Sequence, residues 1–143
     1  MALPDHIQLQ IVSAERSLVS EVVDEVEIPG AEGYFGVLPG HTPLLGLLGA
    51  GELWYRRGPG DGNKHYLSIA FGFAEVQPDR VTILAQIAER AEEIDVARAE
   101  AARKRAPERI ASPTMEMDFE RARITLLKSL IRLQVAARAR IRS

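Results

Sequence analysis

From His6 to Val12 polar and apolar residues alternate, placing Ile7, Leu9 and Ile11 on one face. That period belongs to a half-buried strand. Glu21 to Ile28 continues the pattern through Val22, Val26 and Ile28 and reads as one strand. Pro29-Gly30 and Gly33 punctuate the chain, and Tyr34–Leu38 reads as a short strand. Gly51–Arg56 and Lys64–Ile69 flank Gly58-Pro-Gly-Asp-Gly-Asn63, which predicts a hairpin. Phe71–Val76 and Arg80–Ala85 flank Pro78-Asp79 and predict a second one. Short strands at this spacing predict an antiparallel β-sandwich.

The period changes near Gln86. Ile87, Ala91, Ile94, Arg98 and Ala101 or Ala102 follow at steps of three and four, and Ala88–Ala106 holds seven alanines. This predicts a helix that ends or kinks at Pro107, which cannot donate its own hydrogen bond. Ser112-Pro113-Thr114 marks a turn, with Ser112 or Thr114 as the cap of a second helix from Met115 to Arg140. Its expected seam is Phe119, Ala122, Leu126, Leu130, Leu133 and Ala137. The short linker predicts an antiparallel two-helix hairpin. The chain is thus a β + α protein, with a sandwich over 1–86 and a helical hairpin over 87–143. A lone hairpin with an Ala-rich seam is marginally stable, so it is expected to dock and undock as a switch. The joint is expected at Gln86–Glu89.

Composition sharpens this division. All eleven glycines lie at or before Gly72, and seven of the eight aromatics precede Phe119. Residues 1–86 carry five Lys/Arg against eleven Asp/Glu, and residues 87–143 carry thirteen against nine. After Glu120 there is no acid, while Arg121, Arg123, Lys128, Arg132, Arg138, Arg140 and Arg142 follow. Such a segment suits an acidic partner, a phosphate or an anionic surface. There is no cysteine, which removes disulfides and thiolate chemistry. No apolar run reaches the length of a spanning helix, and the N-terminus lacks signal-peptide features. The expectation is a soluble chain that reaches a membrane only through partners.

Chemistry-bearing residues are sparse. Gly58 to His65 resembles a phosphate-binding loop, but Asn63 and His65 stand where that motif needs Gly and Ser/Thr, and two strands flank it. His6, His41 and His65 lack metal-ligand spacing. His41, in Pro39-Gly40-His41-Thr42-Pro43, reads first as a histidine bonded within its turn. No catalytic set is present, so an independent enzyme is not expected. Asp95 and Arg98 share a helix face and read either as a surface ion pair or as a site for the base and phosphates of a nucleotide. The basic second helix offers no aromatic stacking platform for nucleic acid, and its apolar face lacks the Trp of a membrane-surface helix.

Gly33-Tyr-Phe-Gly-Val-Leu-Pro-Gly-His-Thr-Pro-Leu44, Leu67-Ser-Ile-Ala-Phe-Gly-Phe-Ala-Glu-Val-Gln-Pro78 and Val81-Thr-Ile-Leu-Ala85 resemble the epsilon subunit of bacterial F-type ATP synthase. The resemblance covers essentially the whole chain. It implies a sandwich that binds the gamma subunit and the c-ring, so coupling ion-driven rotation to ATP synthesis. It also implies a hairpin that folds against the sandwich or extends into the alpha/beta catalytic head and blocks ATP hydrolysis. The location implied is peripheral, on the cytoplasmic side of the bacterial plasma membrane. Arg123, Lys128 and Arg132 are the implied contacts to an acidic segment of the beta subunit, and Glu32 and His41 to the ring or gamma. Tyr34 stands where the family often has a second acid.

No cofactor is required, but ATP is implied as a regulatory ligand. Some members bind it through Ile/Leu-Asp-x-x-Arg-Ala, which stands here as Ile94-Asp95-Val96-Ala97-Arg98-Ala99. The further positions implied are Glu89, Arg105, Lys128 and Arg132. Lys128 replaces an arginine, keeping the charge but losing the planar fork that grips phosphate. The alternatives to a rotor subunit are a free-standing ATP sensor and a nucleic-acid adaptor that uses the basic helix.

Overall fold

A computed structural model describes residues 3–58, 62–111 and 116–142, with side chains for 3–58, 62–104 and 123–138. The strands are β1 (Ile7–Ser13), β2 (Ser17–Val23), β3 (Glu25–Gly30), β4 (Gly33–Val37), β5 (Leu44–Arg56), β6 (His65–Gln77) and β7 (Arg80–Arg90). A 3-10 turn at Ala91–Glu93 leads into α1 (Val96–Ala111) and α2 (Glu116–Arg142). Two compact units result, Met1–Arg90 and Ala91–Ser143.

The first unit is a sheet of order β2-β1-β7-β6-β5-β3-β4. Every pairing is antiparallel except β1 with β7, which is parallel. The long strands exchange faces midway, and this bends the sheet over its own core. In β6, Leu67 and Ile69 are buried in one half, and Ala74 and Val76 in the other. The change of parity falls at Phe71 (φ 62°) and Gly72 (φ 119°). A Cβ on Gly72 would lie 2.0 Å from the Leu84 carbonyl oxygen, so only glycine fits there. β7 answers with Val81, Ile83 and Ala85 inward, then Gln86 and Ile87 both exposed, then Ala88 inward. Ile7, Leu9, Ile11, Val23, Ile28 and Leu53 complete a core with no solvent exposure. Each such side chain contributes roughly 1.5–3 kcal/mol by leaving water.

Several sequence-based boundaries move. Glu21–Ile28 is two strands, β2 and β3, broken at Asp24. Gly51–Arg56 is only the end of β5, and Lys64–Ile69 and Phe71–Val76 are one continuous β6. The expected boundary at 86/87 lies inside β7, because Ile87, Ala88, Glu89 and Arg90 pair with Ala70, Ile69, Ser68 and Leu67. That ladder overrides a helix-forming composition.

In the second unit α1 and α2 pack together, and α2 also meets the 3-10 turn. Pro107 does not end the first helix, which runs through it to Ala111. A proline in a helix interior costs about 3 kcal/mol locally. The expected cap at Ser112 or Thr114 lies outside the described residues. The expected leucine seam is also revised. Among the described side chains of α2 the buried ones are Ser129, Val135 and Ala136, whereas Leu127 and Leu130 are 45% and 47% exposed. Ala137 is exposed as well, and Leu126 and Leu133 are half-buried. Phe119 and Ala122 lie outside the described side chains. Small residues let helix backbones approach closely, and Ser129 satisfies its hydroxyl by donating to the Thr125 carbonyl at 2.8 Å.

Candidate functional site: a docking face and a capped helix

The outward face of the sheet carries an apolar row. Register places Leu47 beside Phe73, Phe73 beside Leu84, and Leu84 beside Val12. Leu47, Phe73 and Leu84 are 60%, 50% and 50% exposed, and Leu45 nearby is 71% exposed. A contiguous exposed apolar row on an otherwise well-packed sheet marks a protein-binding surface. The sequence reading missed it. The signal was Leu44-Leu45-Gly46-Leu47-Leu48, where both faces of one strand are apolar.

Glu32 is exposed on the β3–β4 turn, at the rim of an open groove of about 310 Å³ lined by Gly30, Phe35, Leu44, Gly46 and Leu47. His41 lies on the loop after β4. Its Nδ1 donates to the Thr42 carbonyl at 2.6 Å. Gly40 N–H, at φ 87°, donates to the Pro78 carbonyl at 2.8 Å. The loop is therefore held as a turn, and its histidine bonds within it. Glu32 and His41 stand on the two loops at opposite ends of β4, so they form no single cluster.

At the start of α1, Asp95 is the N-cap. Its Oδ1 accepts the Arg98 N–H at 3.0 Å, and its carbonyl accepts the Ala99 N–H at 3.0 Å. The expected Asp95–Arg98 side-chain pair is thus a cap onto the Arg98 backbone. Ile94 and Ala99, 8% and 0% exposed, occupy the two ends of a hydrophobic staple. Three of the four residues that define the Ile94–Ala99 motif therefore serve the helix start. Arg98 is exposed there, and a cation in the first turn opposes the helix dipole.

The remaining candidates stand on other elements. Glu89 stands on β7, in the first unit. Lys128 and Arg132 are half-buried one turn apart on α2, and Arg123 is exposed. The Arg105 side chain lies outside the described residues. Among the described residues no group of His, Cys, Asp or Glu could hold a metal ion. No helix among them is long and apolar enough to cross a membrane.

Just past the end of β5, Arg57 Nε and Nη2 donate to the two oxygens of Glu21 on β2 at 2.9 and 3.1 Å. That bond leads in holding the Glu21 carboxyl below the usual range, with Tyr55 and Arg90 adding to it. Tyr55 is 1% exposed, and burial, followed by the charge of Glu21, pushes its phenol up. Its ring stacks on His65 at 5.1 Å between centroids.

Comparison with known proteins covers both units. Residues 6–91 match the ATP synthase, Delta/Epsilon chain, beta-sandwich domain, and residues 92–137 match the long alpha-helix domain of the same chain. The ATP synthase epsilon chain of Solibacter usitatus is 47% identical over 94% of this chain and 98% of its own length. That of Syntrophobacter fumaroxidans is 48% identical over the same shares. Among solved structures, a chain of the Euglena gracilis mitochondrial ATP synthase, determined with OSCP, F1 and the c-ring, superposes with a TM-score of 0.81. It is 27% identical, with 99% of this chain and 84% of that chain covered. A chain from the Tetrahymena thermophila central stalk and c-ring, 12% identical with a TM-score of 0.54 over 93% and 95%, shares the fold. On these grounds the chain belongs to the ATP synthase delta/epsilon chain family.

Proposed function

We propose that this chain both couples rotation and brakes hydrolysis in a rotary ATP synthase. It is a rotor subunit of the central stalk, and its partners are the gamma subunit, the c-ring and the catalytic head. The row Leu47–Phe73–Leu84 carries the reading, because it gives the rigid sandwich an apolar face with which to grip gamma. Glu32 and the groove beside it supply a mixed acidic and apolar edge for the ring. The subunit performs no chemistry itself; catalysis belongs to the head. It works on the cytoplasmic side of the bacterial plasma membrane, held there by its partners. The acid-free end of α2, with Arg123, Lys128 and Arg132, is the charge-complementary surface for the head.

A second role concerns ATP as a regulatory ligand. Arg98 favours it, as the motif residue that neither caps nor packs the helix start. Calorimetry with millimolar ATP tests this reading: heat that disappears in Arg98→Ala supports it, and no heat from the native chain removes it. The docking face is tested by co-purification with gamma. Phe73→Glu combined with Leu47→Glu is expected to abolish capture while the sandwich stays folded. Unchanged capture would contradict the assignment.

A further inference from the structure

The ladder between β3 and β5 is interrupted. It runs from Glu25 with Arg56 to Glu27 with Trp54, then resumes at Gly30 with Leu48. In between, residues 28 and 29 of β3 stand against residues 49–53 of β5, so β5 bulges there. Pro29 has no N–H to give to a ladder. The β3–β4 hairpin carries Glu32 in its turn, so the strand leading to that turn lacks a regular ladder to β5.

A side chain bridges the gap. Tyr34 pairs with Pro29 in the β3–β4 register, and its hydroxyl accepts the Glu52 N–H of β5 at 3.1 Å. β4 and β5 lie on either side of β3. Neighbouring strands are about 4.8 Å apart, so the reach across β3 takes a side chain as long as tyrosine, and an acid in its place would not span it. Tyr34 is 55% exposed, so the bond rather than burial accounts for a tyrosine here. β5 is shaped to receive the phenol. A Cβ on Gly51 would lie 2.5 Å from the Tyr34 hydroxyl oxygen and 2.7 Å from Pro29 Cβ, so glycine leaves open the seat that the hydroxyl fills. Beyond the turn's other shoulder, Ala31 N–H donates to the Leu47 carbonyl at 2.8 Å. The hairpin tip is thus held at two places on β5, Leu47 and Glu52.

We propose that Tyr34 is a positioning residue, whose hydroxyl clamps the β3–β4 hairpin to β5 and so fixes how Glu32 is presented to the c-ring. The clamp stands on the chain alone. Its use in presenting Glu32 rests on the ring contact proposed above.

Two variants break the same bond in different ways. Tyr34→Phe removes the hydroxyl and keeps the ring, and Gly51→Ala keeps the hydroxyl and fills its seat. In the full chain carrying either one, the Glu52 amide is expected to exchange at least about tenfold faster, and amides 31–33 about threefold faster, with β1 unchanged. Should Gly51→Ala expose β1 as well, Tyr34→Phe alone decides. Binding to a complex of gamma and the c-ring is then measured with and without Glu32→Gln. Tyr34→Phe is expected to weaken binding about fivefold in the native chain and to add nothing beside Glu32→Gln. Unchanged exchange at Glu52 or at 31–33 in Tyr34→Phe overturns the clamp. Equal weakening in both backgrounds overturns the positioning role, because Tyr34 then acts without Glu32. If Glu32→Gln alone leaves binding unchanged, the ring contact of Glu32 fails and its presentation with it, while exchange at Glu52 and 31–33 still decides the clamp.

Discussion

The two units are stabilised in different ways. The sandwich hides Ile7, Leu9, Ile11, Leu53, Leu67 and Tyr55, large side chains with at most 1% exposure. Among its described side chains the second unit hides Ala91, Ile94, Ala99, Ser129, Val135 and Ala136 and leaves Leu127 and Leu130 exposed. A core of interlocking large residues has one well-packed arrangement. A seam of small residues buries little area and stabilises its arrangement weakly, so the exposed leucines remain to contribute in other surroundings. The difference suits the division of labour proposed above, in which one part transmits torque and the other changes partners.

The most severe way to break the rigid half is Gly72→Val. Its side chain would strike the Leu84 carbonyl and force a positive φ on a β-branched residue. Strain and overpacking together should cost at least about 3 kcal/mol in denaturant unfolding. Next comes a matched pair of truncations. Leu9→Ala, at a site with no exposure, should cost about 3 kcal/mol, whereas Leu130→Ala should cost under about 0.5 kcal/mol. Equal losses would erase the distinction between the two cores. A smaller effect is expected at the helix start, where Asp95→Ala should cost about 1 kcal/mol of α1 stability and Asp95→Ser almost nothing, read by helical circular dichroism.

The smallest effect concerns pH. Glu21 has a folded pKa below its unfolded value, chiefly through its Arg57 bonds. Its contribution is therefore present above the unfolded carboxylate pKa and lost as pH falls through the folded one. The pair is partly exposed, 48% for Arg57 and 27% for Glu21, so the effect should stay under about 1 kcal/mol. Unfolding midpoints measured from neutral to strongly acid pH should fall less in Glu21→Gln than in the native chain.

Much of the fold is legible in the sequence because alternation and helical period are local signals. Ile7-Leu9-Ile11 announces β1, and the alanines of 88–106 announce a helix. The boundaries were harder where a distant strand decides. Ile87 to Glu93 has helix composition, yet its first four residues follow β6, and only long-range register shows this. Asp24 breaks a continuous alternation at the junction of β2 and β3, where β3 turns to pair with β5 rather than β1. The site was legible in part. The Ile94–Ala99 motif stood out, but its capping role required the 3.0 Å bond from Asp95 to the Arg98 amide. The docking face is hidden in the sequence because the strand's change of face depends on Gly72.

The most direct measurement titrates ATP hydrolysis by the catalytic head and gamma with the full chain and with a chain ending at Arg90. Both are expected to bind gamma through the sandwich, and only the full chain is expected to slow hydrolysis. Equal inhibition by the two would contradict the account.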